Sequence, residues 1–114
     1  MKLLLILNKK PYDADVIWNA LRLAIQAQKA GMSVRIFLMN DALDLAREGL
    51  TKGEDYDLQG MLLEIIGKGA EAKLCKTCIN RCGIKDGGLI KEVILGTMPE
   101  LVTWIAESEK VLTF

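Results

Sequence analysis

Histidine is absent from this chain. That absence removes Ser-His-Asp and Cys-His catalysis, histidine-ligated zinc and histidine general acid–base chemistry together. Excess charge is lacking as well: 15 basic side chains balance 15 acidic ones. Nucleic-acid binders concentrate positive charge to displace counterions from phosphates, so no nucleic-acid partner is expected. Long apolar runs are missing. The stretch from Met1 to Leu7 is too short to span a bilayer, and it lacks the apolar core and small-residue cleavage site of a secretory signal. Glu92, Glu100 and Glu107 interrupt the apolar C-terminal stretch. The chain therefore reads as soluble and cytoplasmic, with no membrane partner. No glycine-rich phosphate loop follows any expected strand, and no cofactor is expected.

What remains is ordinary globular composition. The chain has 114 residues, of which 51% are hydrophobic and 26% charged. That suffices for one domain, residues 1–114, with one core. Only three cysteines occur, all within the short stretch from Cys75 to Cys82. An odd, tightly clustered set does not suit a secreted disulfide framework, whereas it suits reactive or metal-binding thiols in a reducing compartment.

Lys2 to Leu7 is a mostly apolar run, as expected of a strand buried on both faces of a parallel sheet. Asp13 is the expected N-cap of a helix running to about Ala30, with Ile17, Leu21, Ala24 and Ile25 at helical spacing and Gly31 as stop signal. Ser33 to Met39 reads as the second strand. Asn40 or Asp41 is expected to cap a short helix, Ala42 to Glu48, followed by a polar surface loop from Thr51 to Asp57. Leu58 to Ile66 should be the next helix, and Ala70 to Leu74 a third strand leading straight into the cysteines. A glycine-rich loop from Lys85 to Gly88 precedes a fourth strand at Val93–Leu95. Thr97 and Glu100 then form a capping box with Pro99 in the first turn, opening a helix expected to bury Leu101, Val102, Ile105 and Trp104. Val111 to Phe114 is the closing strand. Strands alternating with helices predict a three-layer α/β/α domain with a mostly parallel sheet of about five strands.

In such a sheet, ligands and reactive groups gather beyond the carboxyl ends of the strands. Cys75 falls there, between an apolar strand and the start of a helix. Unsatisfied N–H groups at that helix start, with the cations Lys73, Lys76 and Arg81, should favour a Cys75 thiolate. Other readings use the same residues. Cys75, Cys78 and Cys82 share one helical face, so all three can serve as small buried hydrophobes in a non-catalytic oligomeric binding or regulatory protein. A zinc or iron–sulfur site usually has four protein ligands, and this chain offers no fourth cysteine and no histidine; no metal is expected. A thioredoxin-like dithiol would place its motif early in the chain, whereas this one lies past the middle. Lys9 and Lys10, at the same sheet edge, are expected to be solvated; Asp13, Asp15, Asp41 and Asp44 read as helix caps and first-turn acids.

The opening KLLLILNKKPYDADVIWNALRLAIQAQKAGMSVRIFLMNDAL, the central LCKTCINRCGI and the closing LGTMPELVTWIAESEKVLTF resemble the DsrE/DsrF-like family of small sulfur-relay and related proteins. The resemblance covers nearly the whole chain. It implies that Cys75 matches the family's sulfur-carrying cysteine and that Cys78 matches the second cysteine of its C-x-x-C members. Family helices here commonly close with Arg-Gly; in this chain Cys82 precedes Gly83, and Arg81 stands one place early. The resemblance implies a persulfide carrier of the sulfurtransferase kind with Cys75 and Cys78 as its thiols, supported by Lys76, Arg81 and Cys82. It further implies sulfur donor and acceptor proteins as partners, and homo-oligomers, often trimers or hexamers.

Overall fold

Leucine-rich β1 (Lys2–Leu7) is an interior strand of a five-stranded sheet. Its neighbours are β2 (Ser33–Leu38) and β5 (Lys110–Thr113); β3 (Glu71–Cys75) and β4 (Ile94–Gly96) extend the sheet beyond β2. The order is β4-β3-β2-β1-β5, and every pairing is parallel. The expected α/β/α architecture with a five-stranded sheet is therefore observed. The structure, a computed structural model, describes residues 1–50, 56–82 and 88–114, with the backbone alone for residues 80–82.

Burial on both faces explains why β1 reads as a continuous apolar run rather than an alternating one. Leu3, Leu5 and Leu7 join one core, with Ile17, Leu21 and Ala24 of α1 (Val16–Lys29) and Leu58, Leu62 and Ile65 of α2 (Leu58–Gly67). Leu4 faces the other way, against Phe37, Cys75 and the Leu101 and Trp104 side chains of α4 (Met98–Glu107). Right-handed crossovers account for this division. From β1 to β4 the chain steps across the sheet in one direction, and from β4 to β5 it returns past β1. The returning helix, α4, must lie on the opposite face.

Several local expectations are corrected. Asp15, not Asp13, stands at the N-cap of α1, and it makes no side-chain cap bond. Its carboxylate instead accepts a 2.8 Å hydrogen bond from the Tyr56 hydroxyl. The preceding turn passes through left-handed Tyr12 (φ 66°) and Ala14 (φ 53°), which moves the helix start two residues on. The short helix is a 3₁₀ segment, Asn40–Ala46, with Met39 at its N-cap and no capping side chain. Of the Thr51–Asp57 loop, residues 51–55 lie outside the described residues, and Asp57 is the cap of α2, accepting from the Gly60 N–H at 3.0 Å. Residues 85–87 of the second glycine-rich loop also lie outside them.

The capping box forms as read. Thr97 Oγ1 accepts from the Glu100 N–H, Glu100 accepts from the Thr97 N–H, and Pro99 occupies the first turn. The buried side of α4 differs from expectation. Leu101 and Trp104 are buried, but Val102 is 60% exposed and Ile105 41% exposed. The helix carries apolar residues on two sides, so its spacing alone does not say which side meets the sheet.

Candidate functional site

Cys75 ends β3, opposite Gly96 of β4, and α3 (Lys76–Cys82) begins at the next residue. The chain leaves these adjacent strands in different directions: from β3 into α3, from β4 into α4 on the far face. Such divergence opens the carboxyl edge of a parallel sheet to ligands and partners. The Cys75 side chain points to the α4 side, where it packs with Leu4, Phe37, Leu101 and Trp104. Cys78, one turn along α3, is half-buried and touches both cores. Both are free thiols.

The electrostatics of Cys75 differ from the sequence expectation. The residue is only 2% exposed, and this burial is the largest influence on its thiol, pushing its pKa up from the ordinary value. The hydrogen bond with the Cys78 thiol pushes in the same direction. Backbone N–H groups of Cys78 and Thr77 donate to the Cys75 sulfur and pull the other way, but less. The expected amides are therefore in place, and desolvation outweighs them within the single chain. The cations are arranged differently from the expectation too. Lys73 shares a sheet face with Cys75 but is hydrogen-bonded to the Glu100 carboxylate. Lys76 is exposed at the start of α3, and the side chains of Arg81 and Cys82 lie outside the described residues.

A second group of residues fixes the wall behind Cys75, and sequence reasoning did not find it. Two strand-borne cations, Arg35 and Lys73, each lie 5.0 Å from the centroid of the Trp104 ring. Both cations are ion-paired to α4, Arg35 to Glu107 at 3.0 Å and Lys73 to Glu100. Phe37 meets the same indole edge to face, with centroids 6.3 Å apart. The partners come from distant parts of the chain, Arg35 and Glu107 being 72 positions apart, so no local pattern announces them. Lys73, with help from Thr97, draws the Glu100 carboxyl below its ordinary value of 4.5. A carboxyl lowered on folding adds stability above its unfolded pKa and forfeits it as pH falls through the folded one. Between pH 4.5 and more acidic values the wild type should lose stability more steeply than Glu100→Gln, as read by urea midpoints across pH. Parallel curves would show that the pair adds nothing to α4 docking.

Among the described residues, no three cysteine, aspartate or glutamate side chains converge as metal ligands would. No helix among them is long and apolar enough to cross a membrane. Lys9 and Lys10 are exposed, as expected of solvated lysines. Trp18 stacks on Tyr56 at 5.2 Å and carries Arg22 over its face, clamping α1 to the segment before α2, on the side of the sheet away from Cys75.

The DsrE/DsrF-like family profile matches residues 1–114. This chain belongs to that family. The DsrE/DsrF-like chain is 39% identical to Protein YchN of Escherichia coli over 115 residues, covering 99% of this chain and 98% of that protein. An uncharacterized protein of Methanopyrus kandleri is 34% identical over 109 residues, covering 96% of this chain and 90% of its own length. The crystal structure of the Escherichia coli YchN protein superposes with a TM-score of 0.89 at 38% identity, covering 100% of this chain and 99% of that one. A protein from Methanobacterium thermoautotrophicum superposes at 0.72 with 13% identity, covering 99% and 98%, which speaks to the fold alone. Family membership supports a sulfur-relay-like role in general terms.

Proposed function

We propose that this DsrE/DsrF-like protein carries sulfane sulfur as a persulfide on Cys75, with Cys78 as its companion thiol, and passes it to the cysteine of a partner protein. The observation that carries the reading is the pair of free, hydrogen-bonded thiols at the carboxyl end of β3 in a member of a sulfur-relay family. A persulfide needs a thiol, a donor and an acceptor, and no histidine, metal or cofactor; this chain has no histidine to offer. Backbone N–H groups of Thr77 and Cys78 beside the Cys75 sulfur support a persulfide anion held by hydrogen bonds. Such chemistry belongs to a reducing compartment, and we place the protein in the cytoplasm. Lys76, Arg81 and Cys82 are the supporting residues of this reading.

The working form is a homo-oligomer, a trimer or hexamer. Ile94 (62% exposed), Met98 (48%), Val102 and Ile105 leave apolar surface on β4 and α4, more than a small isolated domain needs to show. Reduced protein incubated with a persulfide donor should gain the mass of one sulfur atom, mapped to Cys75. Cys75→Ser should lose any added sulfur to a small thiol much faster than the wild type does. If Cys75→Ser keeps its added sulfur as long as the wild type, Cys75 is not the carrier.

A further inference from the structure

Cys75 is almost sealed, whereas its hydrogen-bonded neighbour Cys78 is open on one side. A thiol that must receive sulfur from another protein cannot do so while Leu101, Trp104 and Phe37 pack over it. The half-buried thiol one helical turn away does not have that obstacle. We propose that sulfur is loaded on Cys78 and then moves inward to Cys75, an internal transfer that rests on the persulfide reading above.

Atoms and electrons balance within the pair. The Cys78 sulfur, giving up its proton, first attacks the terminal sulfur of a donor persulfide, whose sulfur–sulfur bond breaks and releases the donor as a thiol. The Cys75 thiol then gives up its proton, and its sulfur attacks the terminal sulfur of the Cys78 persulfide. The sulfur–sulfur bond at Cys78 breaks, its electron pair returns to the Cys78 sulfur, and that sulfur takes the proton. One sulfur–sulfur bond forms as one breaks, so no oxidant or reductant is consumed. Attack on the inner sulfur instead would expel sulfide and join Cys75 to Cys78 as a disulfide, which would waste the cargo.

The arrangement gives each cysteine a separate use. Cys78, touching both cores yet partly exposed, meets the donor and, after the same transfer runs in reverse, the acceptor. Cys75, walled by Leu4, Phe37 and Trp104, keeps the cargo away from water and from stray thiols. Proximity makes the internal step fast, because the two thiols are neighbours in one cluster and no second encounter is needed.

The test follows the position of the added sulfur over time. Reduced wild type, Cys78→Ser and Cys75→Ser are mixed with glutathione persulfide, trapped at intervals with an alkylating reagent and mapped by peptide mass. In the wild type the sulfur should be seen first on Cys78 and should accumulate on Cys75. In Cys78→Ser, loading of Cys75 should slow by about tenfold or more, since it must wait for local opening of the fold. Cys75→Ser should load Cys78 at the wild-type rate and lose that sulfur quickly to added thiol. Equal loading of Cys75 in Cys78→Ser and wild type overturns the internal transfer while leaving the carrier reading intact. Sulfide release with a Cys75–Cys78 disulfide in the wild type also overturns it. If no variant gains sulfur at any cysteine, the carrier reading itself fails. The wild-type time course decides the matter even if a variant folds poorly.

Discussion

Replacing Phe37 by alanine should cost about 3–5 kcal/mol of stability and open Cys75 to reagents. Phe37 is fully buried in β2, packs with Leu4, Cys75, Leu101 and Trp104, and meets the Trp104 indole edge to face. Among the described residues, α4 supplies the helical cover of this face with Leu101 and Trp104, so few neighbours can move in to refill the space. The cost thus combines lost transfer free energy with a cavity. Close packing extends to β4, where a Cβ on Gly96 would lie 3.1 Å from the Phe37 ring. For a domain of this size the loss corresponds to a fall in Tm of about 10–20 °C. It would consume a large part of a typical domain's stability of about 5–15 kcal/mol. Thermal unfolding measures the first effect, and alkylation of Cys75 at a temperature where the variant is still folded measures the second. A loss below about 1 kcal/mol would mean that this face is not packed as described.

The second large effect separates the two thiols. Cys78 should alkylate about a hundredfold faster than Cys75 in the native, reduced protein. Cys75 must await an opening of α4 or α3 costing a few kcal/mol, and each 1.4 kcal/mol is about tenfold in rate. The pH dependence should differ as well. A thiol reacts as its thiolate, and burial has pushed the Cys75 pKa up, so its reaction should climb only at pH values above those of an ordinary cysteine, about 8.5. Denaturant should erase both differences. Time-resolved alkylation with peptide mapping reads them directly, and two thiols reacting at equal native rates would contradict the burial of Cys75.

Much of this was legible in the chain, for reasons visible in particular residues. β1 could be read because burial on both faces demands a run such as Leu3–Leu7, and α4 because Thr97, Pro99 and Glu100 mark its start. These are short-range patterns that the backbone obeys wherever the segment lies. The sequence points to Asp13 as the cap, whereas left-handed residues at 12 and 14 delay the helix, and nothing in Tyr12 or Ala14 announces such a conformation. Val102 and Ile105 were misassigned because a helix apolar on two sides does not say which side is covered. The contacts of Arg35 and Lys73 with Trp104 join strands and helix from distant parts of the chain, beyond the reach of periodicity.

The sequence by itself determined a parallel α/β domain with a cysteine at the end of its third strand, since strand composition, helix caps and the position of Cys75 are local properties. Only the tertiary structure decided that Cys75 lies beneath α4 while Cys78 stays half-exposed, and that Lys73 is committed to Glu100 rather than to a thiolate. The physical reason is that desolvation and ion pairing depend on what crosses over a residue, and here the covering helix arrives some twenty residues later, carried to the far face by the handedness of its crossover.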